Sequence, residues 1–296
     1  MNRNSTLFLR FNKYSLFPLL FLLAIVFYSS CKKNDLVPSY IHIDKITLNS
    51  TYEIDGTNSS KITDAWVYVD DDLIGIYELP ATFPVLYTGS HKISVRAGVK
   101  LNGIAMSRGY YPFFETYNTT IDLQKEEIDT ISPVVTYFPG KIQWKEDFED
   151  AGISIVRYVD SDTSIYKTTD PADAFEGSFS GVANLDATRH YMLCVSDSTL
   201  EIPQNQSPVF LEMNYKTNTY LTVGMYGKLA SGTTERIPTI VLNPTNEWKK
   251  IYINLTYTAN YTVNTNGFKV FFEANKPDSL TSAKVLIDNI KLLYTY

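Results

Sequence analysis

The sequence predicts an all-β protein made of two successive β-sandwiches, and three observations carry that expectation. The chain holds 22 tyrosines and 16 phenylalanines among many Thr, Val and Ile, side chains that suit a pleated, half-buried surface. Apolar residues recur at every second position over short runs, whereas almost no window sustains a 3.6-residue period. Between the runs stand clusters of Gly, Pro, Asn and Asp, the residues that turns require. Hydrophobic content is 44%, enough for packed cores. About 265 residues remain beyond the leader described next, more than one average domain.

Residues 16–27 comprise eleven strongly apolar positions and one proline, preceded by Arg3, Arg10 and Lys13 and by no acidic residue. A basic start and a short apolar run ending in small residues read as a secretory signal. The run is too short to remain in a bilayer, which takes about 20 apolar residues. Its end, Tyr28-Ser29-Ser30-Cys31, resembles a bacterial lipoprotein box, with Tyr28 where that family has Leu. The resemblance implies that residues 1–30 are removed and that Cys31 receives diacylglycerol and an amide-linked acyl chain such as palmitate. Residues 31–39 then form a tether, and Lys33-Asn34-Asp35 resembles, loosely, the sorting signals of Bacteroidetes-type surface lipoproteins. The implied location is the cell envelope, on the outer membrane.

Residues 40–139 are expected to form the first sandwich. Residues 65–69 read as a strand, Asp70-Asp71-Asp72 as an exposed hairpin turn, and residues 73–77 as the returning strand. Residues 91–97 alternate cleanly, with Ile93, Val95 and Ala97 facing inward and Lys92, Ser94 and Arg96 outward. His91, on the core-facing phase, reads as a satisfied structural histidine, and residues 119–123 as a further strand. Val69-Asp70, Leu73-Ile74-Gly75, Leu79-Pro80 and Gly89-Ser90-His91-Lys92-Ile93 together resemble the PEGA module. That likeness implies an immunoglobulin-like spacer or binding fold without activity of its own.

Pro133 and Pro139-Gly140 mark the boundary, and residues 140–296 form the second unit. Strands are expected around residues 181–185, 191–195, 209–216, 221–226, 248–255, 268–274 and 284–292. About eight strands over about 155 residues suit a jelly roll. Asp147-Phe148-Glu149-Asp150, Glu176-Gly177-Ser178-Phe179-Ser180-Gly181, Trp248-Lys249-Lys250-Ile251 and Ile287-Asp288-Asn289-Ile290 resemble, in order and spacing, the jelly-roll carbohydrate-binding modules of bacterial glycan-degrading systems. The resemblance implies a glycan ligand and a structural Ca²⁺. First and last strands of a jelly roll lie side by side, so Glu149 and Asp288 can meet and supply two of the six to eight oxygens that Ca²⁺ takes. The alternative is that both are ordinary strand-end acids.

Zinc has no support, because His42, His91 and His190 are scattered and no Cys/His spacing exists. Gly177-Ser178-Phe179-Ser180-Gly181 is not a nucleophile elbow, since its centre is Phe, and no catalytic residue is assigned. Cys194 lies in an apolar run and reads as a small core hydrophobe. Removing the leader takes the formal charge from −6 to −9, with 23 basic residues against 32 acidic ones, which disfavours nucleic acid. Tyr226 and Tyr252 alternate out of phase with their apolar neighbours and point to the opposite sheet face, where they are candidate sugar platforms. The expected function is a lipid-anchored, non-catalytic envelope protein that binds glycan or assists its uptake. A structural or adhesive protein contacting other envelope proteins is the alternative, and a jelly-roll polysaccharide lyase or hydrolase a third reading.

Overall fold

A computed structural model describes residues 37–168, 170–261 and 265–295. Cys31 and the leader lie outside these residues.

The N-terminal half comprises β1 (Ser39–Ile43), β2 (Thr47–Leu48), the one-turn helix α1 (Tyr52–Asp55), β3 (Asp64–Val69), β4 (Asp72–Glu78), β5 (Ala81–Val85), β6 (Gly89–Lys100), β7 (Arg108–Tyr110), β8 (Tyr117–Leu123), β9 (Ile128–Ile131) and β10 (Val134–Val135). One sheet runs β4-β3-β6-β7 with β8 also on β6, and it faces the smaller sheets β5-β1-β9 and β10-β2. Ile41, Ile43, Phe83 and Val85 meet Val67, Val69, Ile93 and Val95 in the core between them. Asp70 and Asp71 both have positive φ, 48° and 73°, the two left-handed residues that a tight two-residue hairpin loop demands.

The C-terminal half is a jelly-roll sandwich. Its strands are β11 (Ile142–Glu146), β12 (Ile155–Arg157), β13 (Tyr166–Thr168), β14 (Ser180–Leu185), β15 (Tyr191–Ser196), β16 (Val209–Thr217), β17 (Leu221–Leu229), β18 (Thr234–Leu242), β19 (Thr245–Asn254), β20 (Thr265–Asn275) and β21 (Ala283–Tyr294), with the short helix α2 (Thr256–Tyr261) before β20. A six-stranded sheet runs β13-β14-β21-β16-β19 with β11 on β21, and a five-stranded sheet runs β12-β15-β20-β17-β18. First and last strands pair as expected, Glu146 opposite Ile290. β18 was not expected from the sequence, because Pro238 interrupts its alternation. As an edge strand it tolerates a residue that cannot donate to a ladder.

The two sheets of this half enclose one core, including Leu211, Met213, Val223, Met225, Val270 and Phe272. β16 is buried on both faces for a different reason on each. Leu211 and Met213 face the sandwich interior. Phe210 packs instead into the N-terminal core, together with Tyr252 and Leu293. The outer side of the six-stranded sheet is therefore covered by the N-terminal half.

Buried charge accompanies that contact. Glu212, fully enclosed, accepts hydrogen bonds from the hydroxyls of Tyr111 (2.7 Å) and Tyr137 (3.0 Å), and Lys250 Nζ stands 3.1 Å from it. Lys291 donates to the Thr57 carbonyl at 2.7 Å, and burial pulls its ammonium down to about 8. Burial also pushes the Tyr111 and Tyr137 phenols well up, so they remain donors to the carboxylate.

Candidate functional site

Alternation on β15, β17 and β20 turns Met192, Cys194, Val223, Met225, Val270 and Phe272 into the sandwich. Cys194 is fully enclosed there and burial pushes its thiol up, as befits a core residue. The intervening residues face outward, and on that outer face Leu193, Val195 and Phe271 form a small apolar cluster beneath Tyr158, Tyr191 and Tyr226. Tyr158, just past β12, lies nearly parallel to Tyr226 of β17, with ring centroids 5.0 Å apart and planes 12° apart. Tyr226 tilts against Phe271 at 5.2 Å.

Polar groups border the rings. Arg236 of β18 places its guanidinium 4.9 Å from the Phe271 ring centre and pairs with Glu273 of β20. Tyr191 donates its hydroxyl to Glu273 at 2.9 Å. The Glu273 side chain is only 14% exposed, so its bonds operate in a medium less screening than water. Burial raises the phenols of Tyr191 and Tyr226, which keeps both as neutral donors at physiological pH. Gly224 makes the packing possible, because a Cβ there would stand 2.7 Å from the Phe271 ring and against the Ile237 carbonyl. The face thus combines a flat aromatic pair with a carboxylate, a guanidinium and a phenol. Aromatic surface with a few convergent polar groups is the chemistry of a small-molecule site.

Tyr226 stands where the alternation places it. Tyr252 does point away from the sandwich core, but it is only 2% exposed. Its ring centre lies 5.0 Å from that of Tyr111, and its hydroxyl accepts the Lys61 amide at 3.0 Å. As a ligand platform Tyr252 is therefore corrected: the face it points to is occupied by the N-terminal half. Tyr158, Tyr191, Phe271, Arg236 and Glu273 were missed. Tyr191 and Phe271 carried a period-two signal, whereas Tyr158 follows a strand too short to show one.

Glu149 Oε1 accepts the amides of Ser178 and Phe179, both at 2.9 Å, and so ties down the turn after Gly177. Asp288 accepts the Ser180 hydroxyl at 2.6 Å and the Asn289 amide at 2.7 Å, and burial pushes its carboxyl up to about 7. Both carboxylates already receive N–H or O–H donors. Among the described residues no group of three or more His, Cys, Asp or Glu is arranged to hold a metal ion.

No protein-family model and no curated protein matches the chain. Among solved structures it is similar to a xylan-binding domain of carbohydrate-binding-module family 22, at 14% identity over 52% of this chain and 96% of that one, with a TM-score of 0.37. It is also similar to the CBM22-1 xylan-binding domain of Paenibacillus barcinonensis Xyn10C, at 13% identity over 52% and 95%, with a TM-score of 0.38. A structure described by the promiscuous specificity of β-sandwich carbohydrate-binding modules matches 78% of this chain and 85% of its own, at 11% identity and a TM-score of 0.36.

Proposed function

We propose that the protein is a lipid-anchored, non-catalytic envelope protein whose C-terminal sandwich binds glycan on the outer face of its five-stranded sheet. The observation that carries the reading is the parallel Tyr158–Tyr226 pair, bordered by Arg236, Glu273 and the Tyr191 hydroxyl. Sugar rings offer a flat C–H face to aromatic planes and hydroxyls to charged groups, and this face answers both demands. Acylation at Cys31 anchors the chain, two or more acyl chains being what durable anchoring takes. The N-terminal half then holds the sandwich away from the outer membrane, within reach of envelope partners.

A glycan screen with the detergent-solubilised full chain tests this. Tyr226→Ala and Tyr158→Ala should each weaken the retained glycan by about tenfold, corresponding to about 1.4 kcal/mol. Unchanged retention in both variants would remove the sheet face from consideration. For the anchor, mass spectrometry should find a mature terminus at an acylated Cys31, and Cys31→Ser should release the chain from membranes.

A further inference from the structure

A second concave surface runs along the edge strand β18, on the side away from β17, and both halves of the chain build it. One end encloses about 570 Å³ and is lined by Arg236, Asn254, Tyr257, Tyr261 and Asn102 among others. The other end, about 390 Å³, is lined by Lys61, Lys100, Lys249 and Lys250 together with Asn243, and it shares Asn102 with the first. Asn102 is fixed as the link. Its side-chain oxygen accepts the Asn254 amide at 2.8 Å, and its own amide donates to the Tyr252 carbonyl at 2.9 Å.

The two ends differ in chemistry. Tyr257 and Tyr261 stand one turn apart on α2 with ring centroids 5.8 Å apart, and they are 75% and 57% exposed. Neighbouring exposed rings are a cost in water unless something covers them. At the other end four lysines, three of them with accessible side chains, line one cleft of a chain whose net charge is −6. Their counter-charges are sparse. Lys100 reaches Glu78 only at 3.5 Å and Lys249 reaches Glu247 only at 3.7 Å. Lys61 makes no ion pair among the described residues.

Lys250 forms the buried wall of this cleft. Its side chain is 4% exposed and it lines both this cleft and a smaller recess shared with Lys61, Lys100 and Tyr252. Its ammonium is buried 3.1 Å from Glu212, its counter-charge, without a well-aligned hydrogen bond. Glu212 is already engaged by Tyr111 and Tyr137. Lys61, Lys100 and Lys249 hold only loose counter-charges or none, so an anion entering the cleft meets cations that no carboxylate in the described residues neutralises closely.

We propose that this groove binds an acidic oligosaccharide, with sugar faces against Tyr257 and Tyr261 and carboxylate or sulfate groups beside Lys61, Lys100 and Lys249. The proposal rests on the glycan reading above but assigns a separate surface and a charge class.

Calorimetry on the detergent-solubilised full chain, with polygalacturonate, its methyl-esterified form and inorganic phosphate as probes, tests the assignment. The parent should bind polygalacturonate at least about tenfold more tightly than the ester, and Lys61→Glu combined with Lys249→Glu should erase that preference. Both lysines are at the surface, so the fold should persist, and an unchanged melting curve checks this. Tyr257→Ala should weaken both polymers by a few fold, while Tyr226→Ala should leave the acid preference intact. Equal binding of both polymers, or a preference that survives the lysine substitutions, would overturn the groove assignment. If affinity then falls in Tyr226→Ala, the sheet-face reading still stands. Phosphate binding that the lysine substitutions abolish, with no polygalacturonate bound, would overturn the saccharide assignment in favour of a simple anion site.

Discussion

The C-terminal sandwich has two outer faces, and each carries a tyrosine that alternates out of phase with its apolar neighbours: Tyr252 on β19 of the six-stranded sheet and Tyr226 on β17 of the five-stranded one. Tyr252 is sealed beneath the N-terminal half, beside a buried network of Glu212, Lys250 and Lys291. Tyr226 remains half-buried, stacked on Tyr158 and bordered by Arg236 and Glu273. The same strand periodicity therefore served an interface on one side and a candidate ligand surface on the other. Alternation decides which way a side chain points, whereas its fate depends on what the rest of the chain lays over it.

The strongest way to break this comparison is to attack the covered face. Glu212→Ala would leave Lys250 and Lys291 enclosed without their counter-charge and should cost about 3–5 kcal/mol, read from urea unfolding of the full chain. Because the network joins the two halves, the loss should appear in both, with far- and near-ultraviolet dichroism shifting together. A cost near zero would mean that the six-stranded sheet is no more firmly covered than its partner.

Asp288 belongs to that covered face, opposite Asn214 on β16, and it gives the comparison a sign. Burial raises its carboxyl to about 7 against an ordinary value of 3.8. The folded state thus holds the proton more tightly than the unfolded chain, and stability should fall as pH rises from about 4 to about 7, by about 4 kcal/mol at most. Asp288→Asn mimics the protonated acid and should flatten that slope. A Ca²⁺ held by Glu149 and Asp288 would act oppositely, holding the carboxyl ionised so that stability grows with pH and falls on adding chelator. The slope of stability against pH, measured with and without chelator, decides between them. On the open face, Gly224→Ala should cost about 1–3 kcal/mol, since its Cβ would press on Phe271 and on β18. It should also weaken the retained glycan, which no comparable substitution on the covered face should do selectively.

Much of this architecture was legible in the sequence. Ile93, Val95 and Ala97 point inward on β6 as their alternation requires, and the turn at Asp70 and Asp71 adopts the left-handed backbone that aspartate tolerates. Pairing of β11 with β21 followed from the jelly-roll expectation. Other features had no local signature. β12 and β13 are three residues each, too short for a period to register, and Pro238 masked β18. Arg236 and Glu273 are 37 residues apart in sequence and meet only because β18 and β20 flank β17. The lysine cleft is drawn from residues 61, 100, 249 and 250, so only the packing of the two halves assembles it.

An exposed ion pair sets the lower end of the scale against which the Glu212 network is judged. His91, expected as a satisfied structural histidine, has both ring nitrogens engaged at the sandwich surface, Nδ1 with Asp70 at 2.6 Å and Nε2 with the Thr88 carbonyl at 3.1 Å. The hydrogen bond with Asp70 raises the imidazole, and the same bond with the Lys92 amide lowers the carboxyl. Stability from the histidine is present below its unfolded value near 6.5 and fades as pH rises through the higher folded value. Stability from the aspartate is present above its unfolded value near 3.8 and fades as pH falls through the lower folded value. The pair therefore stabilises most strongly between those two limits. Asp70→Asn keeps a residue that accepts positive φ and removes only the charge, so it should erase this shallow maximum while barely moving the midpoint at neutral pH. If Asp70→Asn instead cost as much as Glu212→Ala, burial would not be what separates the two charge clusters.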